Sequence, residues 1–453
     1  MQVDCSSMKK SMNNFALKQV ANGLKTATKG LCLSAWLTLF INPLTMAATY
    51  SVSDTESLKL QLETVKAGDT VLLLDGEYLG HFEIHQPITL TGEGSAIIDA
   101  QGRGRAIAVF SSGVSLKNLT IQNWGGDLYE LDAGVFIHEQ AERVHIESSR
   151  LQGDGFGIYA ENTKHIIVNN NIIAGNRALY KLDRGDGVYL KGVDVSVIHD
   201  NQISDVRDGV YLETSTNSQV FDNRFHSAQY GIHYMYTKHD EAYGNEVDSV
   251  DGGYAIMSSE FVNLHHNQVS NAIDFGVLLN ISKHSIVNNN QVSLAHNPQG
   301  AAELGNEGKG IFIYGARDNE VTHNLFSTSD IGIYMAMGGE GNKVYGNQFV
   351  NNQIQVKYVG DALLEWSHQG KGNFWSGYMG WDSNHDGIAD KPYRPNDSLD
   401  KLFWLYPEAR FLMNSPVVAL LRWVQSQFDI GEPTGIVDSF PLLHNVSADR
   451  VQH

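Results

Sequence analysis

The sequence predicts an all-β protein, a right-handed parallel β-helix with coils of about 22 residues. Glycine recurs every 22 residues in the middle of the chain, at Gly187, Gly209, Gly231 and Gly253. Asparagine recurs with the same spacing, at Asn201, Asn223, Asn245 and Asn267. Positions one and three after each glycine are apolar, which is the alternation of a β-strand. Propeller blades are about 40–45 residues long and carry hairpin turns, so the pattern favours a β-helix, whose crossovers are right-handed.

The repeat extends from about residue 81 to residue 359. The glycine and asparagine spacings lengthen at the same two places, near residues 174–184 and 293–309, so the extra residues form loops within single coils. Side chains one and three positions after glycine are expected to face the core, and those two and four positions after it to face outward. The asparagines are expected to stack at one corner, each amide bonding the next coil.

The chain divides into an export signal over residues 1–48, the β-helix over 49–360 and a C-terminal capping or docking extension over 361–453. Residues 1–29 carry lysines, residues 31–41 are apolar, and small residues follow at Ala47 and Ala48, which is typical of a cleavable signal peptide. The apolar run is shorter than the roughly 20 residues of a spanning helix, so the pattern favours export over a retained membrane anchor.

A short helix is expected to cap the first coil, because the end of a solenoid otherwise exposes its core. Ser53 and Glu56 have the spacing of a capping box. Leu58, Leu62 and Val65 follow at helical spacing.

The formal net charge of −19 bears on the choice of partner. Nucleic acid is excluded as a partner because its phosphates require a surface rich in lysine and arginine. An acidic surface is compatible with cations or with a basic protein.

Two neighbouring coils place sulfur and imidazole side chains on the outward face. Met235 and Met257 both stand four positions after a glycine, and His233 stands two positions after one. The two methionines are therefore expected to lie one coil apart, about 5 Å. Thioether and imidazole ligands without a thiolate suit a soft ion such as Cu(I), so the three residues form a candidate copper site. The alternative is a methionine-lined patch for protein contact.

Two other functions compete with metal handling. A uronate lyase or epimerase acting on polysaccharides would need clustered carboxylates or a carboxylate–arginine set in a groove. Asp186 and Asp208 stand one coil apart with Arg207 nearby, but aspartate before glycine is common in turns, and we interpret the pair as structural. A docking scaffold without metal would use the same outward aromatic row.

The C-terminal extension contains a loop that resembles the front of a calcium-binding loop. Its oxygen ligands would come from positions 1, 3, 5, 7 and 9, with glycine at position 6. These positions are Asp382, Asn384, Asp386, Ile388 through its carbonyl, and Asp390. Tyr393 replaces the usual acidic twelfth residue, so a hydrogen-bonded turn is the alternative. A short apolar helix is expected from Ser415 and Pro416, and it either caps the last coil or docks on a membrane-embedded partner.

Three segments together resemble the NosD family, periplasmic proteins that mature nitrous oxide reductase. They are RDGVYLETS through YGIHYMYTKHDEAYGNEV to GGYAIMSS (207–259), GNFWSGYMGWDSNHDGIADKPYRP (372–395) and LYPEARFLMNSPVVALLRWV (405–424). The resemblance implies a non-enzymatic β-helix on the periplasmic side of the cytoplasmic membrane, held there by a partner. It implies work with an ABC-type permease and ATPase, a copper-binding lipoprotein and apo nitrous oxide reductase, whose copper–sulfide centre receives the copper. The sequence has no Walker A motif, so a partner must hydrolyse the ATP.

Overall fold

A computed structural model describes residues 47–300, 306–396, 398–413, 415–427 and 435–444. The predicted export signal lies outside the described residues, apart from Ala47 and Ala48.

The protein is a parallel β-helix, as predicted. Successive coils each contribute one short strand to three parallel sheets, of 13, 12 and 13 strands, which we call the first, second and third sheets. The first sheet comprises Thr49–Val52, Thr70–Leu73, Thr89–Gly92, Ser115–Lys117, His145–Glu147, Lys164–Asn169, Asp194–His199, Thr216–Phe221, Glu241–Tyr243, Asn263–His265, Ile286–Asn288, Glu320–Thr322 and Lys343–Tyr345. The second comprises Phe82–Ile84, Ile107–Val109, Ala133–Ile137, Phe156–Glu161, Val188–Lys191, Asp208–Glu213, Tyr230–Met235, Gly252–Met257, Phe275–Asn280, Lys309–Tyr314, Ile331–Met337 and Ile354–Tyr358. The third comprises Gly76–Leu79, Ala96–Asp99, Thr120–Gln122, Arg150–Gln152, Ile172–Ala174, Gln202–Ser204, Arg224–His226, Glu246–Asp248, Gln268–Ser270, Gln291–Ser293, Leu325–Ser327, Gln348–Val350 and Phe374–Trp375.

The core follows the predicted alternation. Val210, Leu212 and Ile232, which stand one or three positions after a glycine, are fully buried. The glycine itself is needed because core side chains approach its backbone closely. A Cβ on Gly209 would lie 2.3 Å from the ring of Phe225, so a larger residue there would displace the core.

The predicted asparagine ladder is present at the corner before the third sheet, and it runs from Asn171 to Asn373. In each coil the side-chain amide donates to the carboxamide oxygen of the next asparagine, as from Asn223 to Asn245 at 3.0 Å. The same amide also donates to a backbone carbonyl, from Asn223 to Ile198 at 2.9 Å. These bonds satisfy buried backbone groups at the corner.

The N-terminal helix, α1 (Thr55–Thr64), caps the first coil as expected, but its capping box is displaced by one residue. Asp54 is the N-cap, and its carboxylate accepts from the backbone N–H of Ser57 at 2.9 Å. The Ser57 hydroxyl accepts from the N–H of Asp54 at 3.2 Å, so Ser53 and Glu56 are not the capping pair. Leu58 and Leu62 are buried against the core.

The C-terminal extension closes the other end of the β-helix. The third sheet continues into the extension at Phe374–Trp375, and the ring of Trp375 stacks on Phe349 at 4.4 Å. The extension also contains a two-stranded sheet (Leu363–Glu365 with Gly435–Val437), α2 (Ser398–Leu405), a 3-10 helix (Pro407–Leu412) and α3 (Pro416–Gln427). A second 3-10 turn, Lys181–Asp183, lies in the first long loop. No helix within the described ranges is long and apolar enough to cross a bilayer.

Candidate metal centre

The candidate copper residues lie on the outer face of the second sheet. Rings there form a column along the axis: Phe136, Tyr159, Tyr189, Tyr211 and His233. His233 stacks on Tyr211 with ring centroids 4.5 Å apart. The column faces outward as predicted, but it is not an exposed row, since His233 is only 9% exposed. Leu128 and Leu131, from the loop before one strand, pack over the first rings of the column.

His233 is held in one orientation by an aspartate of the preceding coil. Its Nδ1 lies 2.9 Å from Oδ2 of Asp208, so the proton is assigned to Nδ1 and the lone pair to Nε2. The Nε2 atom is buried and has no hydrogen-bond partner. Histidines that bind metals commonly donate their other N–H to a carboxylate in this way. Nε2 of His233 therefore carries the lone pair that a metal ligand requires.

Asp208 belongs to a buried charged cluster, not to an exposed turn. Its backbone N–H donates to Oδ1 of Asp186 at 3.0 Å, and Arg207 donates twice to Asp186, at 2.9 and 2.6 Å. Both aspartates are almost fully buried. Burial raises the pKa of the Asp186 carboxyl, whereas the adjacent Arg207 lowers it. The cluster corrects our interpretation of the two aspartates as turn residues, because Asp208 orients the imidazole.

Met235 and Met257 occupy equivalent positions in adjacent strands, as predicted. The two residues are in register across the parallel pair, and both side chains are partly exposed. Adjacent strands lie about 4.8 Å apart, so the two thioethers stand side by side, two residues along from His233. Met257 also packs against the apolar cluster of Ala255, Phe275 and Leu278, so this methionine lies between that cluster and open solvent.

The chemistry of these donors matches a soft metal ion. Among the described residues, no three His, Cys, Asp or Glu side chains come together in a group that could hold a metal. The donors on this face are instead one imidazole nitrogen without a hydrogen-bond partner and two thioethers. Thioethers select Cu(I) over harder ions, so the residues present fit a cuprous ion.

The calcium-like loop is organised by its own hydrogen bonds. Asp382 accepts from the backbone N–H groups of Asp386 and Gly387, at 3.2 and 2.9 Å. Asp386 accepts from the N–H of Ile388 at 2.9 Å, and the Asn384 amide donates to Asp386 at 2.9 Å. Asp390 accepts from Ser383 at 3.0 Å from nitrogen and 2.6 Å from oxygen. The loop thus has a turn geometry that places its first three acidic or amide side chains together, while Asp390 turns to Ser383.

A cleft of about 770 Å³ opens beside the buried charged cluster, and sequence reasoning missed it. Tyr189, Tyr211 and Arg207 line its floor, while Asp127 and Asp183 stand on its rim. The rim comes from two loops, one of which is the long coil detected near residues 174–184. The longer interval between repeats near residues 174–184 indicated a loop in the sequence, but it did not show where on the surface that loop would lie.

The fold defines a class: a parallel β-helix protein, which here carries one imidazole and two thioethers on the outer face of its second sheet. Comparison with known proteins identifies the family. Residues 176–380 match the family model described as periplasmic copper-binding protein (NosD). The chain is 47% identical over 371 residues to the probable ABC transporter binding protein NosD of Stutzerimonas stutzeri, covering 81% of this chain and 85% of that protein. It is 44% identical to the protein of the same name from Pseudomonas aeruginosa, covering 83% and 89%. The chain belongs to the NosD family.

Solved structures share the fold alone. The A-module of the mannuronan C-5 epimerase AlgE6 of Azotobacter vinelandii aligns with a TM-score of 0.51 at 14% identity, covering 71% of this chain and 94% of that one. At this identity the likeness carries no information about activity.

Proposed function

We propose that the protein receives Cu(I) and passes it on during assembly of the copper–sulfide centre of nitrous oxide reductase. The observation that carries the proposal is His233, whose Nε2 is buried without a hydrogen-bond partner while Asp208 fixes its Nδ1. Met235 and Met257 supply two thioethers on the same face. Membership of a family described as periplasmic and copper-binding supports the same cargo.

The arrangement suits a carrier more than a permanent metal site. His233 is buried and rigid, because it is stacked on Tyr211 and bonded to Asp208. The methionines are partly exposed and have flexible side chains. The imidazole thus provides a fixed anchor, while the thioethers can release the ion to an incoming donor. A site with only soft neutral ligands at its exposed side exchanges Cu(I) between partners without a covalent step by the protein.

Asp208 also supplies electrostatic stabilisation. Its carboxylate is buried and bonded to an imidazole N–H, and its Oδ1 has no partner. Arg207 is bonded to Asp186 and not to Asp208. A monovalent cation at Nε2 would therefore be attracted by a carboxylate in a medium of low dielectric constant.

We propose further that the C-terminal helices hold the protein against the outer face of the cytoplasmic membrane by docking on an ABC-type permease. Large apolar side chains are exposed along α2, the 3-10 helix and α3: Leu405, Tyr406, Phe411, Val417, Leu420 and Leu421. Phe403 and Val418 are buried, and Arg422 bonds Asp400 at 2.7 Å, so the helices are packed, while no described residue buries the exposed side chains just named. Contiguous exposed apolar surface marks an interaction site. The names of the relatives, binding proteins of an ABC transporter, support such a partner.

On this proposal the remaining steps belong to partners. A copper-binding lipoprotein would load the site, the permease would change conformation as its ATPase hydrolyses ATP, and apo nitrous oxide reductase would take the copper.

A Cu(I) titration of the purified periplasmic chain, in competition with a chromophoric chelator, tests the copper site. We expect His233→Ala, Met235→Ala and Met257→Ala each to weaken binding at least tenfold. Met337→Ala is the matched control, because Met337 is an exposed methionine further along the same sheet. Equal affinities in all four variants and the wild type would refute the site.

The loop from Asp382 to Asp390 is proposed as a Ca²⁺ site that stabilises the closing end of the β-helix. Ile388 and Leu442 form a backbone bridge beside it, so an ion that fixed the loop would also stabilise the segment around Leu442. We expect calcium to raise the melting temperature of the wild type and to leave Asp382→Asn unchanged. The same melting temperature for the wild type in calcium and in excess chelator would exclude the site.

Uronate chemistry is the second candidate, because the cleft beside Asp186, Arg207 and Asp208 holds carboxylates and tyrosines. Two features rank it lower. Asp127 and Asp183 on the rim would repel the carboxylates of a uronate polymer, and Arg207 is already bonded to Asp186. Incubation with uronate polymers decides the question, since release of unsaturated or epimerised sugar would establish the enzyme.

A further inference from the structure

The cleft with Asp127 and Asp183 on its rim combines an aromatic floor with acidic edges. It has a volume of about 770 Å³, and the rings of Phe156, Tyr189 and Tyr211 line it. Concave sites of this size, with a mainly apolar lining and a few placed polar groups, are typical of ligand-binding sites. The cleft is therefore large enough for a long side chain together with the backbone that carries it.

The first rim loop, which carries Asp127, is held in place by hydrogen bonds. Oδ1 of Asp127 accepts from the backbone N–H groups of Tyr129 and Glu130, at 3.0 and 3.2 Å. Arg105 donates to the carbonyl oxygens of Glu130 and Leu131, at 3.0 and 3.2 Å. Tyr129 is nevertheless 98% exposed. A fixed loop thus presents an uncovered aromatic ring at the mouth of the cleft.

The second rim loop, which carries Asp183, is anchored to a distant coil. Lys181 bonds Asp251 at 2.6 Å, although the two residues stand 70 positions apart in the chain. The guanidinium of Arg184 donates to two carbonyl groups of the same loop, both at 3.1 Å. Leu182 remains 48% exposed between these anchors. Since both rims are fixed, an occupant would find the cleft already formed, which reduces the entropic cost of binding.

The charge of the cleft itself is negative. Among the described residues, neither Asp127 nor Asp183 forms an ion pair. Arg207 also lines the cleft, but its guanidinium is bonded twice to the buried Asp186. The cation of the floor is therefore neutralised, whereas the two carboxylates of the rim are not.

The charged groups around the cleft have the same balance. Arg177, on the second loop, lines a different hollow together with Asp154. Lys191, in the strand beneath, bonds Glu161 at 3.2 Å. The cations of the rim loops, of the floor and of their bonded partners are Arg105, Lys181, Arg184, Lys191 and Arg207. The corresponding carboxylates, which outnumber them, are Asp127, Glu130, Asp132, Glu161, Asp183, Asp186, Asp208, Glu213 and Asp251.

We propose that this cleft is a docking site for a segment of a partner protein that carries lysine or arginine among apolar residues. The basic head group would pair with the two rim carboxylates, and its aliphatic stem would lie along the tyrosine floor. The apolar neighbours would contact Tyr129 and Leu182. A protein segment is favoured over a small organic cation, because these two exposed side chains extend the apolar surface beyond the mouth of the cleft.

The cleft lies beside the candidate metal centre. Tyr211 lines the cleft and also stacks on His233, with ring centroids 4.5 Å apart. A docked segment would therefore lie one ring away from the proposed copper ligand. The docking itself does not depend on copper binding.

The test uses three synthetic peptides with the same Leu, Met and Phe residues, which are separated by Lys and Arg, by Asp and Glu, or by Ser and Gln. Binding of each labelled peptide to the purified periplasmic chain is measured by thermophoresis at low and moderate salt. We expect the basic peptide to bind about tenfold more tightly than the other two, and its affinity to fall with salt. Carbodiimide joins amines to carboxylates, so it should cross-link the lysines of the basic peptide to Asp127 or Asp183, as mapped by mass spectrometry.

The rim variant combines Asp127→Asn with Asp183→Asn. Asparagine keeps the oxygen that accepts from the loop backbone, so the melting temperature should be unchanged, while the affinity for the basic peptide should fall about tenfold. The matched control combines Glu77→Gln with Glu93→Gln, which removes the same amount of charge from exposed side chains outside the cleft. The control should keep full binding, which separates docking in the cleft from general attraction to an acidic chain.

Two further measurements identify other occupants. Tighter binding of a uronate oligomer, or equal binding of lysine amide alone, would overturn the proposal in favour of an anionic saccharide or a small organic cation. Sedimentation of the wild type and of the rim variant tests for a second copy of the chain, and a dimer that only the wild type forms would overturn it in favour of self-association.

Equal binding of the three peptides, no binding of the basic peptide, or cross-links only outside the cleft would also overturn the proposal. So would full binding by the rim variant, or an equal loss in the rim variant and the control. The Cu(I) affinity of the rim variant, which should equal that of the wild type, separates a failure of this cleft from a failure of the copper site.

Discussion

Replacing Asp208 by asparagine should weaken copper binding without removing any metal ligand. Asparagine keeps the shape of the side chain and can still accept from Nδ1 of His233 through its oxygen, but it removes the buried charge. Carboxylates that orient metal-binding histidines typically contribute about 10–100-fold to metal affinity. We therefore expect the Cu(I) dissociation constant to rise by about 10–100-fold, or about 1.4–2.7 kcal/mol.

The measurement is the chelator-competition titration, read together with urea unfolding. The Asp208→Asn variant leaves a buried amide N–H₂ where Oδ1 now has no partner, which should cost about 1–3 kcal/mol of stability. Asp200→Asn is the matched control, because Asp200 bonds Nδ1 of His199 at 2.7 Å on an exposed surface. An Asp208→Asn protein that is folded and binds Cu(I) as tightly as the wild type would refute the role given to the carboxylate. If His233→Ala still bound Cu(I) more weakly in that case, His233 would remain a ligand, but Asp208 would lose its proposed role in positioning it.

Three further perturbations test the β-helix scaffold and the proposed docking of the C-terminal helices on a permease. Asn245→Ala removes bonds to Val220 and to the neighbouring asparagines, so the free energy of unfolding in urea should fall by about 2–4 kcal/mol. Burial raises the pKa of the Asp240 carboxyl to about 7. Because the folded state then holds a proton that the unfolded state releases, the free energy of unfolding of the wild type should fall as pH rises from about 4 to about 7. The Asp240→Asn variant has no such carboxyl group, so its stability should increase relative to that of the wild type between pH 5 and pH 8. Val417→Glu with Leu420→Glu should leave the melting temperature unchanged but abolish co-purification with the permease, since both side chains are exposed.

The regular part of the molecule is predictable because the signals that specify it are local and repeated. Core alternation around Gly209 and Gly231 depends on the two-residue period of a strand, which the sequence displays directly. The asparagine ladder depends on identical residues meeting in adjacent coils, and a constant spacing guarantees that they meet. The capping helix was predicted by the same means, but two overlapping capping boxes compete there, and Asp54 with Ser57 is used instead of Ser53 with Glu56.

The site was only partly predictable because its surroundings come from irregular segments. The adjacency of Met235 and Met257 follows from the repeat, and so does the outward direction of His233. The burial of His233 does not follow, since it depends on side chains packed around the ring, among them Tyr211 stacked on it and Tyr230 edge-on to it. The bond from Asp208 was accessible in principle, because the two residues stand in adjacent coils, but aspartate before glycine also has an ordinary turn role. An aspartate selected for a turn and an aspartate selected for a buried ionic contact look the same in the sequence. Only the contact in the folded structure distinguishes the two roles.

The departures from the repeat fall together, and that coincidence supports a functional assignment. His233 replaces a tyrosine of the aromatic column and is bonded to Asp208, while Met235 and Met257 occupy the next outward column. All lie within consecutive coils of the second sheet. A solenoid is stabilised mainly by contacts between neighbouring coils, so residues that weaken one coil without filling its core have no structural reason to cluster. Under the proposed function, a rigid rod that tolerates such local changes would present these donors to partner proteins in a fixed geometry, which is what the passage of an ion between them requires.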